Sequence, residues 1–93
     1  MEKVLVNGYE YDGYCVKFSK STLLFIAGSK GVLGCGYFNI DTANKVGEAI
    51  AIVTGVKNFD DMLAAKVIKV SSGAESLGIT LEMSGKEALE CLK

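Results

Sequence analysis

Apolar and polar residues along the chain fall into two regimes that meet near residue 41. In the first, short apolar runs alternate with turn residues. Residues 3–6 are β-prone and, after Lys3, apolar, and Asn7-Gly8 follows; both of these residues tolerate the positive φ of a type I′ turn, so the pair predicts a hairpin. The returning strand starts at Tyr9 and runs towards Phe18, with Tyr9, Tyr11, Tyr14, Val16 and Phe18 keeping a period near two. Asp12-Gly13 interrupts that period and predicts a bulge or a second tight turn. After the polar break at residues 19–21, residues 23–27 form a continuous apolar run, the pattern of a strand covered on both faces. A turn at residues 28–31 leads into an antiparallel return over residues 32–36, where Gly34 and Gly36 predict a bend or a close backbone approach.

In the second regime the period lengthens. Asp41 or Thr42 is placed to cap a short helix that stops at Gly47. Residues 49–53 read as a buried strand closed by Thr54-Gly55. Asn58 caps a second helix whose stripe is Phe59, Met62, Leu63 and Lys66-Val67, with Asp60 and Asp61 at its positive end. Residues 67–70 are short and extended. Ser72-Gly73-Ala74-Glu75 reads as a capping box, the brief helix ending at Gly78, and Ser84-Gly85-Lys86-Glu87 opens a final helix. That helix is expected to bury Ala88, Leu89, Cys91 and Leu92, and to pair Lys86 with Glu90 on its wet face. The fold class that follows is α+β: N-terminal antiparallel β-hairpins continuing into a mixed sheet with helices packed against it. Ninety-three residues without proline or a low-complexity tract fit one domain over residues 1–93.

Composition narrows the function classes. The chain is 49% hydrophobic and carries a net charge of −1, a generous apolar share for a small domain, so another copy is expected to cover part of the surface. All ten basic residues are dispersed lysines; without arginine's planar fork and without a basic block, nucleic acid is not an expected partner. No apolar run approaches the ~20 residues of a membrane span, and no signal-like segment opens the chain, so a cytoplasmic protein is expected. Three unpaired cysteines, Cys15, Cys35 and Cys91, do not make a disulfide framework, and Cys15 and Cys91 read as core. There is no histidine, which removes Ser-His-Asp and Cys-His catalysis and the commonest zinc ligand; neither a metal nor a cofactor is expected.

Taken together, the segment from Gly31 to Gly36 with Asn39, Val53-Thr54-Gly55-Val56 leading into residues 59–63, Leu77-Gly78-Ile79, and Met83-Ser84-Gly85-Lys86-Glu87-Ala88-Leu89 resemble the YunC-like domain of unknown function, a bacterial and archaeal family, over nearly the whole chain. The resemblance implies an α/β domain whose N-terminal β portion mediates tetramerisation. It implies no substrate, cofactor or catalytic residue. The chain departs from the family pattern in a shorter segment after Cys35 and in lacking arginines near Gly55 and Lys86.

One stretch invites chemistry. Gly34-Cys35-Gly36 places a thiol between glycines at a strand-to-helix junction, where a thiolate is favoured and backbone amides can meet an oxyanion; Asn39 and Asp41 follow as polar ligands or as helix caps. These five residues are the candidates for a small-molecule site or an enzyme centre. The alternative is packing, since cysteine is a small and commonly buried residue and no histidine is present to act as its base. The spacing from Gly34 to Asn39 only begins like a dinucleotide fingerprint, on a strand that reads as part of a hairpin instead of a βαβ unit.

Overall fold

A computed structural model describes residues 1–93. Its six strands are β1 (Glu2–Val6), β2 (Tyr9–Lys17), β3 (Thr22–Ala27), β4 (Val32–Gly34), β5 (Ile50–Ile52) and β6 (Lys69–Val70). The helices are α1 (Ile40–Val46) between β4 and β5, α2 (Phe59–Ala64) between β5 and β6, and α3 (Ser72–Ser76) and α4 (Gly85–Leu92) at the end. The strands form one sheet in sequence order. Every neighbouring pair is antiparallel except β4 and β5, which are parallel. The α+β architecture expected from the pattern is present, hairpins first and a mixed sheet after them.

The first hairpin turns at Asn7 and Gly8, with φ of 50° and 79°. Asp12-Gly13, however, is neither bulge nor turn. The ladder passes through it without a break, Asp12 facing Lys3 and Ala27, Gly13 facing Glu2 and Ile26. The glycine answers a packing demand instead: a Cβ there would stand 2.7 Å from Val4 Cγ2 and 2.8 Å from Phe59 Cζ, so α2 reaches the sheet only because position 13 is bare. With no bulge to restore the phase, Tyr9 and Tyr11 lie on one face of β2 while Tyr14 and Val16 lie on the other.

One face of the sheet carries the main core. Val4, Val6, Tyr11, Leu24, Ile26, Leu33, Ala51 and Val53 meet Met62, Ala88, Leu89 and Leu92 from α2 and α4. Tyr11 donates from its hydroxyl to the Leu89 carbonyl at 2.9 Å. Burial first, and the Glu90 carboxylate second, push its pKa from 10.0 up to about 12. A phenol whose folded pKa lies above its unfolded value contributes stability that is whole below pH 10 and is lost as pH rises towards 12. Urea melts are therefore expected to show a steep alkaline loss of stability across that window. Tyr11→Phe should be less stable at neutral pH by about 1–2 kcal/mol, because the Leu89 carbonyl loses its donor, and should fall less steeply in alkali.

The opposite face is only half covered. Helix α1 packs Ala43 and Ile40 on Ile50, Ile52 and Val32. Phe38 extends that cover, lying where a Cβ of Gly34 would be, 2.5 Å from Phe38 Cδ2. Phe25 meets Phe38 edge-on at 5.5 Å, and Tyr14 stacks on Phe25 at 4.6 Å. There the cover stops. Strand β3 is thus buried on the Leu24 and Ile26 side and half-buried on the Leu23 and Phe25 side, not enclosed on both faces as its unbroken apolar run suggests.

Caps and pairings set where the helices begin and end. Helix α1 is capped by Asn39, whose Oδ1 accepts from the Thr42 amide at 2.9 Å, with Asp41 in the first turn. Helix α2 ends at Ala64, a turn before the apolar stripe does, because the next residues pair with the chain entering α4: Gly85 N donates to Ala65 O and Val67 N to Met83 O. Helix α3 is capped by Ser71, not Ser72. At α4 both halves of the Ser84–Glu87 capping box form, and the Ser84 hydrogen bonds hold Glu87 below the usual carboxylate range. Glu90 pairs with Lys93 at 2.8 Å and accepts from Asn7 at 3.0 Å, leaving Lys86 without the expected pair. Cys91 is half-buried against the core, whereas Cys15 is exposed because β2 outruns β1 and that end of the sheet has no helix below it. No helix is long and apolar enough to cross a membrane.

Candidate functional site

Strands β4 and β5 run parallel, so their C-terminal ends point the same way, and the loops that leave them lie side by side. The first loop, residues 35–39, leads into α1, and the second, residues 53–58, leads into α2. The β4–α1–β5 segment is a βαβ unit even though β4 also closes a hairpin with β3, which corrects the hairpin-only reading of that strand. The crevice beyond the carboxyl ends of such strands is where open sheets commonly bind ligands. Here it is widened by the turn between β2 and β3 into a cleft of about 790 Å³, within the range of small-molecule sites.

The structure brings two of the five candidates to this cleft and leaves three outside. Cys35 and Gly36 line it. Gly34 is buried in β4 beneath Phe38, Asn39 caps α1, and Asp41 is exposed on the first turn of α1. Cys35 itself is 4% exposed and belongs to the main core, where its sulfur accepts from the Leu24 amide at 3.4 Å. That environment is one of packing, with no basic side chain bonded to the thiol. Gly36 is exposed, and a Cβ on it would make ordinary contact with Thr54 Cγ2 at 3.4 Å.

The remaining wall was not legible as a site in the sequence. Lys17 and Lys20 come from the end of β2 and the turn after it, Lys57 from the loop before α2. No ion pair engages any of the three, and no aspartate or glutamate lines the cleft. Tyr37 stands against Phe18 edge-on at 5.5 Å and bonds its hydroxyl to Ser21. The amides of Gly36, Tyr37, Thr54 and Gly55 donate to no acceptor within the chain. Lysines forty residues apart carry no common spacing; the antiparallel β2–β3–β4 ladder and the parallel pairing of β4 and β5 together make them neighbours. Nowhere do three or more potential metal ligands cluster.

The family model for a domain of unknown function, DUF1805, matches residues 34–92. The chain belongs to the DUF1805 family. It is 31% identical over 90 residues to the uncharacterised protein YunC of Bacillus subtilis, covering 92% of this chain and 89% of the relative. The crystal structure of a protein of unknown function from Thermoplasma acidophilum, TA1206, superposes with a TM-score of 0.92 at 38% identity, covering 99% of this chain and 90% of that one. The YunC-like resemblance read from the glycine and helix-cap motifs is therefore shown. The DUF1805 match begins at Gly34, so it contains both loops of the cleft but neither Lys17 nor Lys20.

Proposed function

We propose that the protein is a homo-oligomer, a tetramer on the expectation that accompanies the family, assembled through its N-terminal hairpins in the cytoplasm. One observation carries this. Strand β1 pairs with β2 only as far as Gly13, so residues 14–17 of β2 hold β3 on one side and present an open edge on the other. An open edge is a template for another strand, and apolar side chains are exposed on the same face of the hairpin: Leu5 and Val16 are 67% and 49% exposed. Covering the part of each such side chain that is still exposed is worth about 1–2 kcal/mol, and a second copy supplies both the apolar cover and the missing strand partner. The cytoplasmic assignment is supported by three free thiols, the exposed Cys15 among them, since unpaired surface thiols suit a reducing compartment. Light scattering of the purified protein at micromolar concentration is expected to give a multiple of the 9.9 kDa chain mass; a stable monomer would overturn the reading.

A second reading is favoured by the cleft. The assembly binds a small molecule at the Gly34-Cys35-Gly36 junction, with Gly36 and the facing Thr54-Gly55 loop forming the floor and Cys35 serving as packing beneath it. Amide shifts confined to these two loops on ligand addition are its signature.

A further inference from the structure

We propose that the cleft takes the phosphoryl group of a small organic phosphate, an inference that rests on the small-molecule reading above and names its ligand class. The charge pattern is the first support. The chain is net negative, yet Lys17 and Lys20 from the end of β2 and the turn after it and Lys57 from the loop before α2 stand at one cleft, with no carboxylate in its wall and no ion pair to neutralise them. The carboxylate of Asp61, on the helix that follows Lys57, is engaged by the Lys57 backbone amide at 3.0 Å and does not line the cleft.

The donor set is the second support. Unpaired amides at Gly36, Tyr37, Thr54 and Gly55 come from two adjacent loops. Together with three ammonium groups they offer more donors than the two oxygens of a carboxylate accept, and they match a tetrahedral dianion with three terminal oxygens. Lysine acts on phosphate as a mobile point charge and does not need the planar geometry that arginine gives to carboxylates. The Phe18–Tyr37 pair on the same wall, two rings set edge to face, supplies apolar contact for the organic part.

The test is an amide-resolved NMR titration of the full-length protein at constant ionic strength with four probes: phenyl phosphate, inorganic phosphate, benzoate and phenol. Phenyl phosphate is expected to shift the Gly36, Tyr37, Thr54 and Gly55 amides saturably and to bind more tightly than the other three. Replacing all three lysines (Lys17→Ala, Lys20→Ala, Lys57→Ala) should weaken it at least about tenfold, since removing even one charge-assisted hydrogen bond has an effect of that order, and should leave phenol unchanged. Gly36→Ala, whose new methyl only touches Thr54, should melt like wild type and still weaken phenyl phosphate. If phenol or benzoate binds as tightly, or if the triple variant binds phenyl phosphate as wild type does, the phosphate assignment falls while the small-molecule cleft stands. If none of the four saturates, or if added sodium chloride moves the same amides equally, both fall.

Discussion

Gly85→Ala is expected to destabilise the fold by about 3 kcal/mol or more, the upper range for overpacking a filled interior. Helix propensity predicts the opposite sign, a gain of up to about 1 kcal/mol for alanine over glycine. Packing decides the contest. Gly85 is the first residue of α4 and is buried; a Cβ there would overlap the Met62 carbonyl oxygen of α2 and stand 3.0 Å from Leu33 Cδ2. A flexible side chain could swing away, but a backbone carbonyl moves only with its helix. The Gly85 amide also donates to Ala65 O at 2.8 Å, so separating α4 from α2 would cost that bond too. Thermal melts should show the loss directly, at roughly 4–8 °C per kcal/mol for a domain of this size. An alanine variant as stable as wild type would mean that α4 does not sit against α2 as described.

Ser71→Ala should cost a similar amount, about 2–4 kcal/mol, although it removes a single oxygen. Ser71 is the one fully buried polar residue, and its hydroxyl joins three segments. It donates to Glu48 O at 2.8 Å, accepts from Ile50 N at 2.9 Å, and accepts from Ala74 N at 3.3 Å as the cap of α3. Removing it strands a donor at the start of β5 and an acceptor just before it, each costing about 1–3 kcal/mol when buried without a partner. Its neighbour is the control. Ser72 is exposed and makes no side-chain hydrogen bond, so Ser72→Ala should change stability by no more than about 0.5 kcal/mol. Equal losses from the two variants would return the cap to Ser72.

The serine pair also marks where sequence patterning stops being informative. Ser72-Gly73-Ala74-Glu75 has the spacing of a capping box, and Ser71-Ser72 offers two hydroxyls one residue apart. The choice between them is made by Glu48 and Ile50, more than twenty residues away, and local spacing carries no trace of that. Where both partners of a contact are local, the pattern sufficed: Asn7-Gly8 turns the first hairpin, Asn58 caps α2, and the Ser84–Glu87 box opens α4. Gly13 and Gly34 were visible as anomalies, yet their causes, Phe59 and Phe38, lie on helices or loops that the strand pattern does not reach. The candidate site divides in the same way. Its Cys35-Gly36 stretch is a contiguous motif and was legible; its lysines arrive from two segments and became neighbours only through the β2–β3–β4 ladder and the parallel β4–β5 pairing.

The glycine-rich junction therefore has two kinds of glycine. Gly34 is occupied by Phe38 and serves the fold, while Gly36 is open to the cleft and is free to serve a ligand. The uncovered end of β2 stands next to this cleft, since Lys17 and Phe18 belong to both. Association through that end would bring a neighbouring copy close to the binding wall, so ligand binding and assembly are expected to influence one another.

Sedimentation velocity of wild type beside Val16→Glu puts the assembly to the sharpest test, because Val16 lies on the open edge of β2 and is 49% exposed. A charge there leaves the core untouched but cannot be buried against a second copy without cost. Wild type is expected to sediment as an oligomer and the variant as a folded 9.9 kDa monomer; a monomeric wild type, or a variant that assembles as wild type does, would rule out assembly through this edge.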